Sequence, residues 1–153
     1  MPLVVRGPGF RSGQRSDAMV SSLDLLPTLV SAAGGEPVPG DGHPLQEFLD
    51  GRATRTSALV QISELQLGGA LRTERHTYAV TGTGLGRLAR YRDWAAEAYE
   101  EQAGSDHVDD PAQRHNLAGT ASTAELRRSL AAQLTDEIER LEGTRPRILV
   151  GSS

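Results

Sequence analysis

The sequence predicts a mixed α/β chain: a strand–helix opening of the α/β kind, then an α+β half with a small antiparallel sheet against a long C-terminal helix. Three observations predict it. Leu3, Val4 and Val5 are consecutively apolar, the pattern of a strand covered on both faces. Between residues 58 and 81, β-branched and aromatic residues cluster around Gly68-Gly69, the signature of an antiparallel pair. Near the C-terminus, Leu126, Leu130, Leu134, Ile138 and Leu141 recur at helical spacing and form one stripe.

The first strand ends at Arg6, because Gly7-Pro8-Gly9 cannot continue a ladder. Residues 10–17 form a polar loop with two arginines. A helix begins near Ser22 or Asp24, either of which can accept from the free N–H groups of the first turn. Pro27 falls inside that turn, where its missing N–H costs little. Leu25, Leu26, Leu29, Val30 and Ala33 give the helix an apolar face, and Gly34-Gly35 stops it.

Residues 36–43 are loop by composition, and residues 44–49 suit one helical turn. A composition shift over residues 52–57 marks a subdomain boundary, giving segments 1–52 and 56–153. Strands are expected at residues 58–63 and 71–81, with Gly68-Gly69 as the turn between them. Residues 82–86 read as another turn, 87–91 as a third short strand, and 93–102 as a helix. Residues 104–119 read as irregular. Ser122 with Glu125 makes a capping box for the last helix, and Gly143 ends it. Residues 147–150 fit an edge strand or a frayed tail.

The chain has 153 residues, enough for one domain with a real core. Only 4% are aromatic, so that core must be built from Leu, Val and Ala. A net charge of -4 gives no electrostatic footprint for nucleic acid or an anionic membrane. All 16 basic residues are Arg, which removes lysine chemistry. Absence of cysteine removes disulfides, thiolate metal sites and cysteine nucleophiles together. No apolar run approaches the ~20 residues of a membrane span, and no secretory leader is visible, so a cytoplasmic product is expected.

Four stretches, in order, resemble the C-terminal third of type I sulfatases of the alkaline phosphatase superfamily. They are Pro2-Leu3-Val4-Val5-Arg6-Gly7-Pro8-Gly9, Ser22-Leu23-Asp24-Leu25-Leu26-Pro27-Thr28-Leu29, Asp41-Gly42-His43-Pro44-Leu45 running to Leu49-Asp50-Gly51, and Asp110-Pro111 with Asn116-Leu117-Ala118. The strand Leu71-Arg72-Thr73-Glu74-Arg75-His76-Thr77-Tyr78 is similar to a fifth family segment, with His76 and Thr77 replacing its Tyr and Lys. The resemblance implies the last strand–helix unit of a sulfatase α/β domain at residues 1–52 and the sulfatase C-terminal subdomain at residues 56–153. It also implies sulfate-ester hydrolysis by the full enzyme, with a formylglycine made in a C/S-x-P-x-R motif and a divalent cation, usually calcium.

Neither that motif nor the family's metal-binding carboxylates occur here, so no catalytic or metal residue is assigned and the chain alone is expected to be inactive. Its expected partner is the missing N-terminal sulfatase domain, or another sulfatase chain on which it docks as a binding or regulatory remnant. A product of gene decay is the remaining alternative. In family members a valine commonly precedes the first proline. Met1 stands there, and a GTG valine codon can be read as a start, so a truncated or mis-started frame is expected.

The resemblance further implies that C-terminal residues can line the substrate cleft, which makes Arg72, Arg75 and His76 the cleft-rim candidates. A half-exposed structural role in the strand is the simpler reading of all three. Asp106, His107, Asp109, Asp110 and His115 cluster but lack metal-ligand spacing, so a solvated loop with turn bonds at Asp110 and Asn116 is favoured. Arg6, Arg11 and Arg15 read as a solvated surface. Gly82-Thr83-Gly84-Leu85-Gly86 lacks the phosphate-loop pattern. No Ser-His-Asp arrangement can be drawn.

Overall fold

Five strands carry the second half of the chain: β1 (Ser57–Ile62), β2 (Gly68–Thr73), β3 (His76–Gly82), β4 (Ala98–Asp106) and β5 (Arg147–Leu149). They form one sheet in the order β1-β2-β3-β4-β5, with β2-β3 and β3-β4 antiparallel and β4-β5 parallel. In this computed structural model residues 3–11, 13–62, 67–83 and 96–151 are described. The chain divides into two units, Met1–Ala58 and Leu59–Ser153.

In the second unit, helix α3 (Ala124–Glu142) packs on β2, β3 and β5. Its stripe works as the spacing predicts. Leu130, Leu134 and Ile138 are buried against Leu71, Tyr78, Val80 and Tyr99, while Leu126 lies at the margin and Leu141 is exposed. Each fully buried side chain of this size contributes about 1.5–3 kcal/mol. Gly143 ends the helix in the left-handed conformation, at φ 71°. The expected capping box does not form. A single 3-10 turn (Ala121–Thr123) precedes the helix instead, and the Thr123 hydroxyl donates to the carbonyls of Leu117 and Thr120.

One expected strand becomes two. Residues 71–81 are split by a tight turn at Glu74-Arg75, closed by Thr73 Oγ1, which accepts from His76 N at 2.9 Å and donates to its carbonyl at 3.2 Å. Gly68 and Gly69 are not the turn but the start of β2. A Cβ on Gly68 would lie 2.7 Å from the Val80 carbonyl, so glycine permits the close backbone approach there.

Residues 98–102, expected as helix, belong to β4. Pairing with β3 on one side and β5 on the other, together with burial of Tyr99, outweighs their weak helical propensity. Gln102 is an extra residue: Ala79 pairs with Ala103 but Val80 with Glu101, a β-bulge. The expected turn and strand at 84–91 lie outside the described residues. β5 settles the tail as an edge strand, and β1 matches its expectation to within a residue.

The first unit is smaller. A 3-10 turn (Ser22–Asp24) leads into α1 (Leu25–Ala32), and α2 (Leu45–Leu49) supplies the predicted helical turn. Ser21 and Asp24 form a reciprocal capping box, and Gly34 follows the helix at φ 74°. The core is Leu45, Phe48 and Ala53 with Phe10 beside them. Residues 3–5 form no strand, contrary to expectation: among the described residues none pairs with them, and Val4 is 93% exposed. A β-strand is stabilised by its neighbours, and none is at hand. Among the described residues no helix is long and apolar enough to cross a membrane.

Candidate functional site

The turn between β2 and β3 and the end of β4 bring seven polar side chains together. Arg75 reaches from the turn to Asp106, donating from Nε at 2.9 Å and Nη2 at 2.7 Å, and its Nη2 also meets Asp109 at 2.6 Å. His76 Nε2 lies 3.6 Å from the same Asp106 carboxylate. The other Asp106 oxygen accepts the backbone N–H groups of Val108 and Asp109. The Arg75 guanidinium and these N–H groups hold the Asp106 carboxyl far below the usual carboxylate range.

Arg72 and Thr77 are cross-strand partners on the sheet face away from Tyr78. Arg72 Nη1 donates to Thr77 Oγ1 at 3.0 Å and to His107 Nε2, and Thr77 Oγ1 lies 2.8 Å from that same nitrogen. Partial burial and the adjacent Arg72 cation lower the His107 pKa, which favours the neutral imidazole with Nε2 as acceptor. Beside Thr77 opens a groove of about 280 Å³, lined by Ala103, Gly104, Ser105, Gln113, Arg114, His115 and Asn116.

The three cleft-rim candidates therefore converge, but in two groups. Arg75 and His76 are spent on Asp106 and Asp109, whereas among the described residues Arg72 meets Thr77 and His107. Thr77 is the residue that sequence reading missed. Its signal was strand alternation, which places it beside Arg72 once the hairpin register is known.

The acidic loop serves structure. Asp110 Oδ2 accepts His115 N at 2.7 Å. Asn116 Oδ1 accepts Gly104 N at 2.9 Å and Ala118 N at 3.0 Å, and Leu117 N donates to the Gly104 carbonyl. Asn116-Leu117 thus covers the part of the β4 edge beyond the reach of β5. No group of metal-ligating side chains is assembled among the described residues.

Two buried ion pairs also escaped the sequence reading. Asp24 is fully buried and binds Arg55, Ser21 N and His43 N, while Thr28 Oγ1 accepts Leu45 N at 2.8 Å. Burial alone would raise the Asp24 pKa, but Arg55 and the two N–H groups outweigh it and lower it. In the second unit, Arg127 of α3 pairs with Glu101 of β4, both buried. Both Asp24 oxygens are engaged, and Glu101 Oε1, though without a hydrogen-bond partner among the described residues, is buried rather than open to a substrate as a catalytic carboxylate must be.

The first unit carries an apolar surface. Leu23, Leu25, Leu26 and Leu29 are exposed along α1 and the turn before it, the last by 68%. Elsewhere in this unit Leu3, Val5, Phe10, Val20, Leu45 and Phe48 line a groove of about 470 Å³, with Arg11 and Arg15 at its margin. Among the described residues Arg15 otherwise meets Asp17, in solvent.

No protein-family model and no curated protein sequence matches this chain. Solved structures do. A protein of Bacteroides thetaiotaomicron VPI-5482 assigned as a sulfatase matches at 23% identity and a TM-score of 0.57, over 78% of this chain. A protein solved in complex with its substrate D-glucosamine-2-N,6-O-disulfate matches at 20% identity and a TM-score of 0.57, over 80%. The yidJ protein of Bacteroides fragilis, also assigned as a sulfatase, matches at 19% identity and 0.56, over 78%. The chain spans 24% of the length of each of them. It has the fold of a part of these larger proteins.

Proposed function

We propose that this chain is the C-terminal portion of a sulfatase, which closes a catalytic α/β domain made by the rest of such a protein. The observation that carries the reading is the fold match: most of this chain aligns, yet it spans only a quarter of the matched structures. The five family-like segments lie in order along the same chain.

The exposed face of α1 supports one occupant, the α/β domain of the same enzyme. Leu25, Leu26 and Leu29 stand in solvent on a helix whose sequence is similar to the family's helix, and residues 3–5 form an apolar run that pairs with no strand among the described residues. A contiguous apolar surface of this kind marks an interaction site. The formylglycine and the divalent cation would then belong to the other three quarters, since this chain has no cysteine, no C/S-x-P-x-R motif and, among its described residues, no assembled ligand group. Alone it hydrolyses no sulfate ester.

Two measurements test this. With an aryl sulfate the purified chain should give no turnover. By light scattering it should self-associate, and Leu26→Ser with Leu29→Ser should restore a monomer. Turnover by the chain alone, or a monodisperse wild-type monomer, overturns the reading. An in-frame C-x-P-x-R segment in the upstream DNA would support it independently.

A further inference from the structure

We propose that Tyr78, Glu101 and Arg127 bind one internal water molecule, held as a fixed part of the sheet–helix core of the second unit. Tyr78 is 0% exposed and Arg127 1%, and the Glu101 side chain is 3% exposed, so bulk solvent does not reach them. Most polar atoms of this cluster are matched. Glu101 Oε2 accepts Arg127 Nη1 and the backbone N–H groups of Gly119 and Gly151. Arg127 Nη1 and Nη2 also donate to the carbonyls of Gly151 and Thr120. Three atoms meet no partner among the described residues: Tyr78 Oη, Glu101 Oε1 and Arg127 Nε.

The chemistry of these three fits one water. The phenol and the guanidinium N–H donate, and the carboxylate oxygen accepts. A water that accepts two bonds and donates one satisfies them all, which is the usual number for a buried water. No single direct bond does so. A bond from Tyr78 to Glu101 Oε1 leaves the Arg127 Nε–H bare, and a second contact between Arg127 and Glu101 leaves the phenol bare. For Oε1 to accept both directly the carboxylate would have to turn, and three donors hold Oε2 in place. A buried ion pair is stable only where its remaining hydrogen-bonding atoms are met as well. The backbone is suited to the role. Glu101 pairs with Val80 and so shares the sheet face of Tyr78, and the bulge at Gln102 interrupts the ladder between them. Burial, and then the Glu101 carboxylate nearby, push the Tyr78 phenol pKa up, so it stays a donor.

The test has two readouts on the full chain. A high-resolution crystal structure should show one spherical density peak within about 3.2 Å of Tyr78 Oη, Glu101 Oε1 and Arg127 Nε, as well ordered as the side chains around it. In solution, oxygen-17 relaxation dispersion of the solvent counts internal waters. The double variant Glu101→Leu, Arg127→Met replaces the ion pair by apolar side chains of similar size, an exchange that folded proteins tolerate. It should hold one long-lived water fewer than the wild type. Tyr78→Phe removes one bond of the three, so the water should stay but exchange with solvent about fivefold faster. A direct Tyr78–Glu101 bond with no density peak beside it overturns the proposal, and so do equal water counts in the wild type and the double variant. Where the double variant does not fold, the density decides alone. Neither readout involves turnover or α1, so the outcome is independent of the sulfatase reading.

Discussion

The two units of this chain solve the same problem with different means. In the second, apolar side chains from α3 and β2–β4 meet in one continuous core, with Leu71, Tyr78 and Leu134 fully buried. In the first, the buried cluster is three residues, and the helix's leucines point into water. What holds that unit is polar: a buried carboxylate gathering an arginine and two backbone N–H groups. Directional bonds of this kind fix geometry, but each adds only about 1 kcal/mol net. The difference teaches which half can stand by itself.

The largest expected effect follows from that. Limited proteolysis should cut residues 1–50 first and leave 56–141 resistant. Uniform protection from the N-terminus, in a monomer, would erase the contrast. Next, Leu134→Ala removes a fully buried side chain at the centre of the larger core and should cost about 2–5 kcal/mol, read by denaturant unfolding. Arg55→Ala should cost the first unit about 3 kcal/mol by stranding the buried Asp24 charge. It should open the His43 and Leu45 amides to hydrogen exchange while α3 stays protected.

Acid should reproduce part of that effect. The folded pKa of Asp24 lies below its ordinary value of 3.8. The stabilisation is therefore complete above that value and fades as pH falls through the folded pKa. The protection of the His43 amide, its exchange rate relative to an unfolded peptide at the same pH, should fall below about pH 4 before that in the middle of α3 does. The smallest effects come from exposed or end positions. Gly143→Ala forces a left-handed φ of 71° on a side chain and should cost about 1 kcal/mol. Leu29→Ala, on the bare face of α1, should change unfolding by less than about 0.5 kcal/mol. A larger loss there would mean that the face is covered within the chain itself.

Much of this was legible in the sequence where a local signal agreed with the tertiary outcome. Pro27 in the first turn of α1, the stripe of α3 with Gly143 behind it, and the helical turn at Leu45–Leu49 all formed. The failures share a cause. The Glu74-Arg75 turn contains no glycine, asparagine or proline, because a threonine hydroxyl closes it instead. The Ala- and Glu-rich stretch at the start of β4 has helical propensity, and only its neighbours make it a strand. Residues 3–5 have the composition of a strand but, among the described residues, no ladder to join. At the candidate site, Arg72 was visible as a residue type. Its partners were not, since Thr77 and His107 become neighbours only through the hairpin register and the turn after β4.

The pair Arg127–Glu101 also ties the segment after β5 to the domain. Glu101 Oε2 accepts Gly151 N at 3.3 Å, and Arg127 Nη1 donates to the Gly151 carbonyl at 3.3 Å. The charges sit on β4 and α3, but these two bonds come from a residue beyond β5. Removing residues 147–151 would strip β4 of its parallel neighbour and open the buried charge pair to water in one cut.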